Sequence, residues 1–132
     1  MGGVHLANKR FVHNVLYELA RATPQTLMAR LSAAYHPDAE WRGSHPINEL
    51  HGIEAIAAGA WRPLLAAFPD LERRDSILIG GAYGGADFVG AMGHYCGIFR
   101  RDWLAIPATG RPVWLRYGEF HRVRDGRIDQ ST

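Results

Sequence analysis

The chain has one lysine, one cysteine and no apolar run long enough to cross a membrane as a helix. Each scarcity excludes something. Lys9 stands alone among 15 basic residues, so the formal charge of +2 rests on arginines, and these are scattered. Adjacent pairs such as Arg73-Arg74 and Arg100-Arg101 fall short of the continuous basic stripe of a nucleic-acid binder, so no nucleic-acid partner is expected. Cys96 cannot form an intramolecular disulfide and lies in an apolar stretch, which fits a buried small hydrophobe in a reducing compartment. The opening "MGGVHLANKR" lacks the apolar core of a signal peptide, so a soluble cytoplasmic protein with no membrane partner is expected. Seven histidines are present, but none stands in HxxxH or HxH spacing and no CxxC accompanies them, so no metal site is expected. The glycines of "GGAYGG" join two strand-like segments rather than opening a helix, which excludes a phosphate-binding loop.

With 132 residues, 47% of them hydrophobic, the chain has the size and composition of a single domain over 1–132 with its own core. Phe11, Val15, Leu16 and Leu19 recur at helical spacing and predict a helix from about Asn8 to Arg21. Thr23 reads as the cap of a second helix, with Pro24 at its first position and Leu27, Leu31 and Tyr35 on one face. "DAEWR", Asp38 to Arg42, is a short strand. A third helical pattern runs from Ile53 to Phe68, divided or kinked by Pro63. The rest is strand-like: "LERRDSILI" from Leu71, a turn at "GGAYGG", an apolar run from Phe88 to Phe99, and "VWLRYGEFHRVRDGRI" from Val113 to Ile128. Helices first and a hairpin-rich sheet after them predict an α+β domain, helices packed on a curved, mainly antiparallel sheet.

The last stretch alternates strictly. One face carries Val113, Leu115, Tyr117, Glu119, His121 and Val123, and the other Trp114, Arg116, Phe120, Arg122 and Arg124. Guanidinium groups stay ionised and are hard to bury together, so the arginine face should be wet or lie at an interface and the Tyr/Glu/His face should look inward. Gly118 could carry a β-bulge that reverses this on one side of it. Trp114 and Phe120 beside arginines fit a homodimer formed through the sheet. Buried without partners, Glu119 and His121 would cost several kcal/mol, so they either close a hydrogen-bond network in the core or border a cavity. A cavity of several hundred Å³ touching both would favour the second. A carboxyl in an apolar wall would have its pKa raised, which suits proton transfer. Of the neighbours His94 and Tyr95 one must face inward, with Gly93 and Gly97 leaving room beside Tyr95; Trp41 and His45 are weaker candidates for a pocket rim.

Taken in order, "HP" (His45-Pro46), "LHGIEAI", "AAFPDL", "GHYCGIF", "IPATGRPV" and "FHRVRDGRI" resemble the SnoaL-like polyketide cyclase family of the nuclear transport factor 2-like superfamily. The resemblance runs from about Tyr35 to Ile128. It implies a cone-shaped α+β fold with a bent sheet around helices, open at one end to a mostly apolar pocket, and commonly a dimer. It also implies chemistry without a cofactor. An acid/base residue removes a proton next to a carbonyl, donors stabilise the enolate, and ring closure or isomerisation follows. On that reading the ligand is a small hydrophobic carbonyl compound. His121 or Glu119 is the proton-transfer group, and Tyr117 or Tyr95 is the donor to the oxyanion. The alternative is a non-catalytic ligand-binding or dimerisation module of the same fold. The family's usual aspartate lies beyond the "DGRI" position, and the sequence ends at Thr132 before reaching it. Asp129 does not match that position, so no catalytic aspartate is carried over.

Overall fold

The structure, a computed structural model, describes residues 2–132. Helix α1 (Gly2–Ala20) begins earlier than the apolar spacing predicts. Its early backbone lies over a strand glycine, Gly80, where a Cβ would sit 3.1 Å from the His5 carbonyl oxygen, so the sheet itself extends the helix's support. Helix α2 (Leu27–Ala34) starts three residues past Pro24. The Thr23 N–H donates to Thr26 Oγ1 at 2.8 Å and the Thr26 N–H donates to Thr23 Oγ1 at 3.2 Å, which locks residues 23–26 into a turn. Tyr35, expected on the apolar face of this helix, opens strand β1 instead, because it pairs with Ile128.

The third helical stretch is one continuous rod in three pieces: α3 (Ile53–Ile56), a π-turn (Ala57–Trp61) and α4 (Arg62–Ala67). The Arg62 N–H reaches back five residues to the Ala57 carbonyl. Pro63 follows at once. It offers no N–H to the ladder, and the widened turn before it is where the helix absorbs that loss without breaking.

Six strands form one sheet: β1 (Tyr35–Arg42), β2 (Glu49–His51), β3 (Glu72–Tyr83), β4 (Ala86–Ile98), β5 (Pro112–Arg124) and β6 (Arg127–Ser131). Their order is β2-β1-β6-β5-β4-β3, with β1 and β6 parallel and every other pair antiparallel. The result is an α+β cone, the helices filling the concave side of the sheet. Strand β2 falls where the sequence reads only as turn. Most of "GGAYGG" belongs to β3, so the β3–β4 turn shrinks to Gly84-Gly85, both with positive φ. The β5–β6 turn at Asp125 (φ 49°) and Gly126 (φ 76°) is the tight hairpin that Asp-Gly predicts.

Register decides which side chains meet. The pairing of β4 with β5 runs unbroken through Met92 opposite Gly118, so no bulge occurs at Gly118 and the facing of β5 holds along its length. Trp114 and Phe120 stand 61% and 56% exposed on the convex face, whereas Tyr117, His121 and Val123 are buried. The bulge lies on β3 instead, between Asp75 and Ile77. It turns Arg73 and Asp75 toward the interior on one side and Leu78 and Gly80 on the other, leaving Ile77 and Ile79 outside.

Candidate functional site

Arg73, a residue the sequence gives no reason to single out, is the keystone of the interior. It is 2% exposed. Its Nη2 donates to Glu119 Oε1 at 2.6 Å, its Nη1 to the Tyr95 hydroxyl at 2.7 Å, and its Nε to Asp75 Oδ1 at 3.2 Å. The guanidinium plane lies 4.1 Å from the Tyr117 ring centroid and 5.4 Å from that of Tyr95. A buried cation is tolerated here because two carboxylates and two aromatic faces replace its water. The register makes room for it: Gly93 of β4 pairs with Tyr117 of β5, and a Cβ at Gly93 would sit 2.5 Å from the Tyr117 hydroxyl.

Two carboxylate–imidazole pairs flank the arginine. On one side His121 Nε2 donates to Glu119 Oε1 at 3.2 Å, and His121 Nδ1 shares a 2.7 Å hydrogen bond with Ser131 Oγ, which in turn donates to the Tyr35 hydroxyl at 3.3 Å. On the other, His13 of α1 bonds Asp75 Oδ2 at 2.7 Å, and Tyr117 gives its hydroxyl proton to Asp75 Oδ1. Glu119 Oε1 therefore accepts two charged or polar donors, while Oε2 has no protein partner among the described residues.

Burial alone would raise the Glu119 pKa, as the sequence reading expected. The structure corrects that expectation: His121 and Arg73 outweigh burial and lower it to about 2. Burial lifts the phenols. Tyr35 is pushed up to about 12, and Tyr95 and Tyr117 rise further above the ordinary tyrosine range, Tyr117 helped by its bond to Asp75. All three are neutral donors at any working pH. Because the folded Glu119 titrates below its ordinary value of 4.5, its contribution to stability is complete above about pH 4.5 and fades as the pH falls toward 2. The expected loss is roughly 3 kcal/mol. Urea unfolding midpoints between pH 7 and 2.5 should show it, with a flatter profile in Glu119→Gln.

A cavity of about 180 Å³ opens in front of this network, between α1, the π-turn and the sheet, and Tyr35, Trp41, Trp61, Tyr95, Tyr117 and Glu119 all line it. A wider, more open cleft of about 470 Å³ continues from it past Trp41, Tyr117 and Glu119 toward Gly118 and Thr132. The expected site residues divide accordingly. Glu119, Tyr117, Tyr95 and Trp41 meet at the cavity. His121 stands behind Glu119, buried and out of the cavity lining. His94 lies on the convex face against Trp114, 6.4 Å between ring centroids, because strand alternation turns it out when Tyr95 turns in. His45 is exposed in the β1–β2 connection and lines no cavity with the others. Asp129 is taken by Arg122 at 2.7 Å and Arg124 at 2.9 Å, away from the cavity. Tyr117 is spent on Asp75, whereas Tyr95 accepts from Arg73 and keeps its own proton free.

The α+β cone, with a cavity lined by aromatic rings, Arg116 and one ionised carboxylate, has the architecture of the nuclear transport factor 2-like fold. The SnoaL-like domain family matches residues 18–130, and the chain belongs to that family. No curated protein is significantly similar in sequence. Among solved structures, a candidate SnoaL-like polyketide cyclase from Jannaschia sp. CCS1 superposes with a TM-score of 0.74 at 20% identity, over 98% of this chain and 85% of that one. IdmH, a candidate polyketide cyclase from Streptomyces antibioticus, gives 0.70 at 24% identity over 93% and 88% of the two chains. A nuclear transport factor 2-like superfamily protein from Salmonella enterica serovar Typhimurium LT2 gives 0.74 at 13% identity over 98% and 89%. At these identities the likeness establishes the fold. No helix among the described residues is long and apolar enough to cross a membrane.

Proposed function

We propose that this protein is a cofactor-independent catalyst of the cyclase or isomerase type, acting on a small hydrophobic carbonyl compound by acid/base enolisation. The observation that carries this reading is the division of labour within one carboxylate: Glu119 Oε1 is anchored by Arg73 and His121, and Oε2 is left free at the cavity. An anchored carboxylate with one free oxygen is a positioned base. Oε2 takes the proton from the carbon next to the carbonyl, and the Tyr95 hydroxyl donates to the enolate oxygen. The same carboxyl group then returns the proton to carbon or oxygen, so atoms and charge balance without a further reagent. His121 and Arg73 are positioning residues that keep Glu119 ionised and fix its rotamer.

The depressed pKa of Glu119 favours a second reading, a non-catalytic ligand-binding module, because a weak base has less driving force to abstract a proton. The two separate in D₂O. A catalyst incorporates deuterium next to the carbonyl of a bound ketone faster than buffer does and saturates with ketone; a binder leaves the ketone at the buffer rate.

A second copy covers the convex face. Ile77, Ile79, Met92, Trp114 and Phe120 are all about half-exposed there, with Arg74 and Arg116 among them, a mixture found at protein interfaces and unusual on a free sheet. Phe120→Glu is expected to convert a dimer to a monomer in gel filtration while leaving the circular dichroism unchanged. Wild-type protein eluting as a monomer would remove the dimer.

A further inference from the structure

A second concavity lies on the outer side of the helical rod that walls the inner cavity. The rod divides its side chains between the two: Trp61 and Leu64 line the cavity of about 180 Å³, whereas Arg62, Leu65 and Ala66 line an open groove of about 480 Å³. The two share no lining residue. The facing wall of the groove is the end of α1 and the turn into α2, which the Thr23–Thr26 hydrogen bonds hold in place. A third element completes it. The Arg100 N–H donates to the Ala67 carbonyl at 2.9 Å and the Arg101 N–H to the same oxygen at 3.4 Å, which ties the chain after β4 to the end of α4 and brings Arg101 to the groove.

The groove combines two kinds of surface. Its floor is apolar: Leu27 is buried and Leu65 half-buried, with Pro24, Ala66 and Pro69 beside them. Around that floor stand three exposed arginines, Arg21, Arg62 and Arg101, and no carboxylate lines the groove. Arg42, Arg74 and Arg124 are exposed too, but each takes a carboxylate, at 3.2, 3.0 and 2.9 Å. Among the described residues Arg62 and Arg101 take none, and Arg21 donates only from Nη1, to the Tyr17 hydroxyl at 3.1 Å. Three guanidinium groups around one apolar floor therefore keep most of their donors for a partner that the chain itself does not supply.

We propose that this groove is a second binding site, which takes a small amphiphilic carboxylate with its apolar body on the floor and its head group among the arginines. Charge complementarity sets the head group: a guanidinium fork matches a carboxylate with two parallel N–H···O bonds, and the rim offers an ammonium group no carboxylate to pair with. The floor sets the body, because only an apolar chain or ring gains by covering Leu27 and Leu65. Size sets the class. A groove of about 480 Å³ falls within the roughly 300 to 1,000 Å³ of small-molecule sites, and its ten lining residues are fewer than the roughly 20 to 30 a side of a stable protein interface. Because the groove and the Glu119 cavity share no residue, this site stands apart from the enolisation reading.

The test titrates octanoate, 1-octanol and octylammonium, which share one chain and differ in head-group charge, into ¹⁵N-labelled full-length protein. Octanoate is expected to bind most tightly, about tenfold above octanol, and octylammonium most weakly, with the backbone amide signals of Ala22, Leu65 and Ala66 moving on binding. Arg62→Gln and Arg101→Gln alter exposed side chains and should each lower octanoate affinity roughly three- to fivefold while leaving octanol affinity unchanged. Equal affinity for octanoate and octanol, octanoate affinity unchanged in the double variant, shifts confined to cavity residues such as Tyr95 and Tyr117, or binding of none of the three would overturn the assignment. The comparison of the three probes on the wild type needs no variant to fold. Deuterium exchange reads Glu119 separately: octanoate binding at the groove without exchange leaves this site standing and removes the catalyst, and exchange without octanoate binding does the reverse.

Discussion

Replacing Arg73 by methionine is expected to cost roughly 3 to 5 kcal/mol of folding stability. Methionine fills similar volume, so the loss is electrostatic. It leaves Asp75 and Glu119 buried near one another without the cation that holds them apart, and it removes the donors to Glu119, Tyr95 and Asp75. A domain of this size has about 5 to 15 kcal/mol in total, so the variant should lose a large fraction of it. Adding Glu119→Gln to Arg73→Met should restore part of the loss, because one orphaned charge is then gone. Denaturant unfolding of the four proteins in this cycle measures the coupling. A single-variant loss below 1 kcal/mol would mean that the network is solvated and that Arg73 is not its keystone.

The inward Tyr-x-Glu-x-His ladder of β5 was legible in the sequence because strict alternation and three arginines on the opposite face leave one solution. The Asp-Gly turn and the helix-then-sheet order were legible for similar local reasons. Arg73 was not, because the rule that placed the arginines of β5 outside assigns every arginine to water. It fails where two carboxylates and two phenol rings converge, and all of those partners except Asp75 lie on strands distant in sequence. The spacing Arg73-x-Asp75, one strand removed from Tyr117-x-Glu119 across β4, was the available signal, but the bulge after Asp75 hides it by shifting the alternation of β3 halfway along. The pKa expectation for Glu119 fails for a related reason: an apolar wall raises a carboxyl's pKa, and the His121 hydrogen bond and charge, joined by a guanidinium at 2.6 Å, reverse the sign. His94 and His45 were drawn toward the pocket by residue type alone, and alternation and loop exposure place them elsewhere.

Glu119→Gln is expected to lower proton transfer to and from carbon by roughly 10²- to 10⁴-fold, the range of a positioned acid/base group. Glutamine keeps an acceptor oxygen for Arg73 and occupies the same space, so ligand binding should change little and the loss should appear in kcat rather than KM. His121→Asn, by contrast, removes a positioning partner. It should leave part of the activity while moving the acid limb of the pH profile upward, since the hydrogen bond and charge that depress the Glu119 pKa are weakened. The most direct test of the account is the rate of deuterium incorporation next to the carbonyl of acetophenone in D₂O, compared between wild type and Glu119→Gln at saturating ketone. The account predicts exchange above the buffer rate in the wild type and a fall of at least about 100-fold in the variant; equal rates in the two proteins would contradict it.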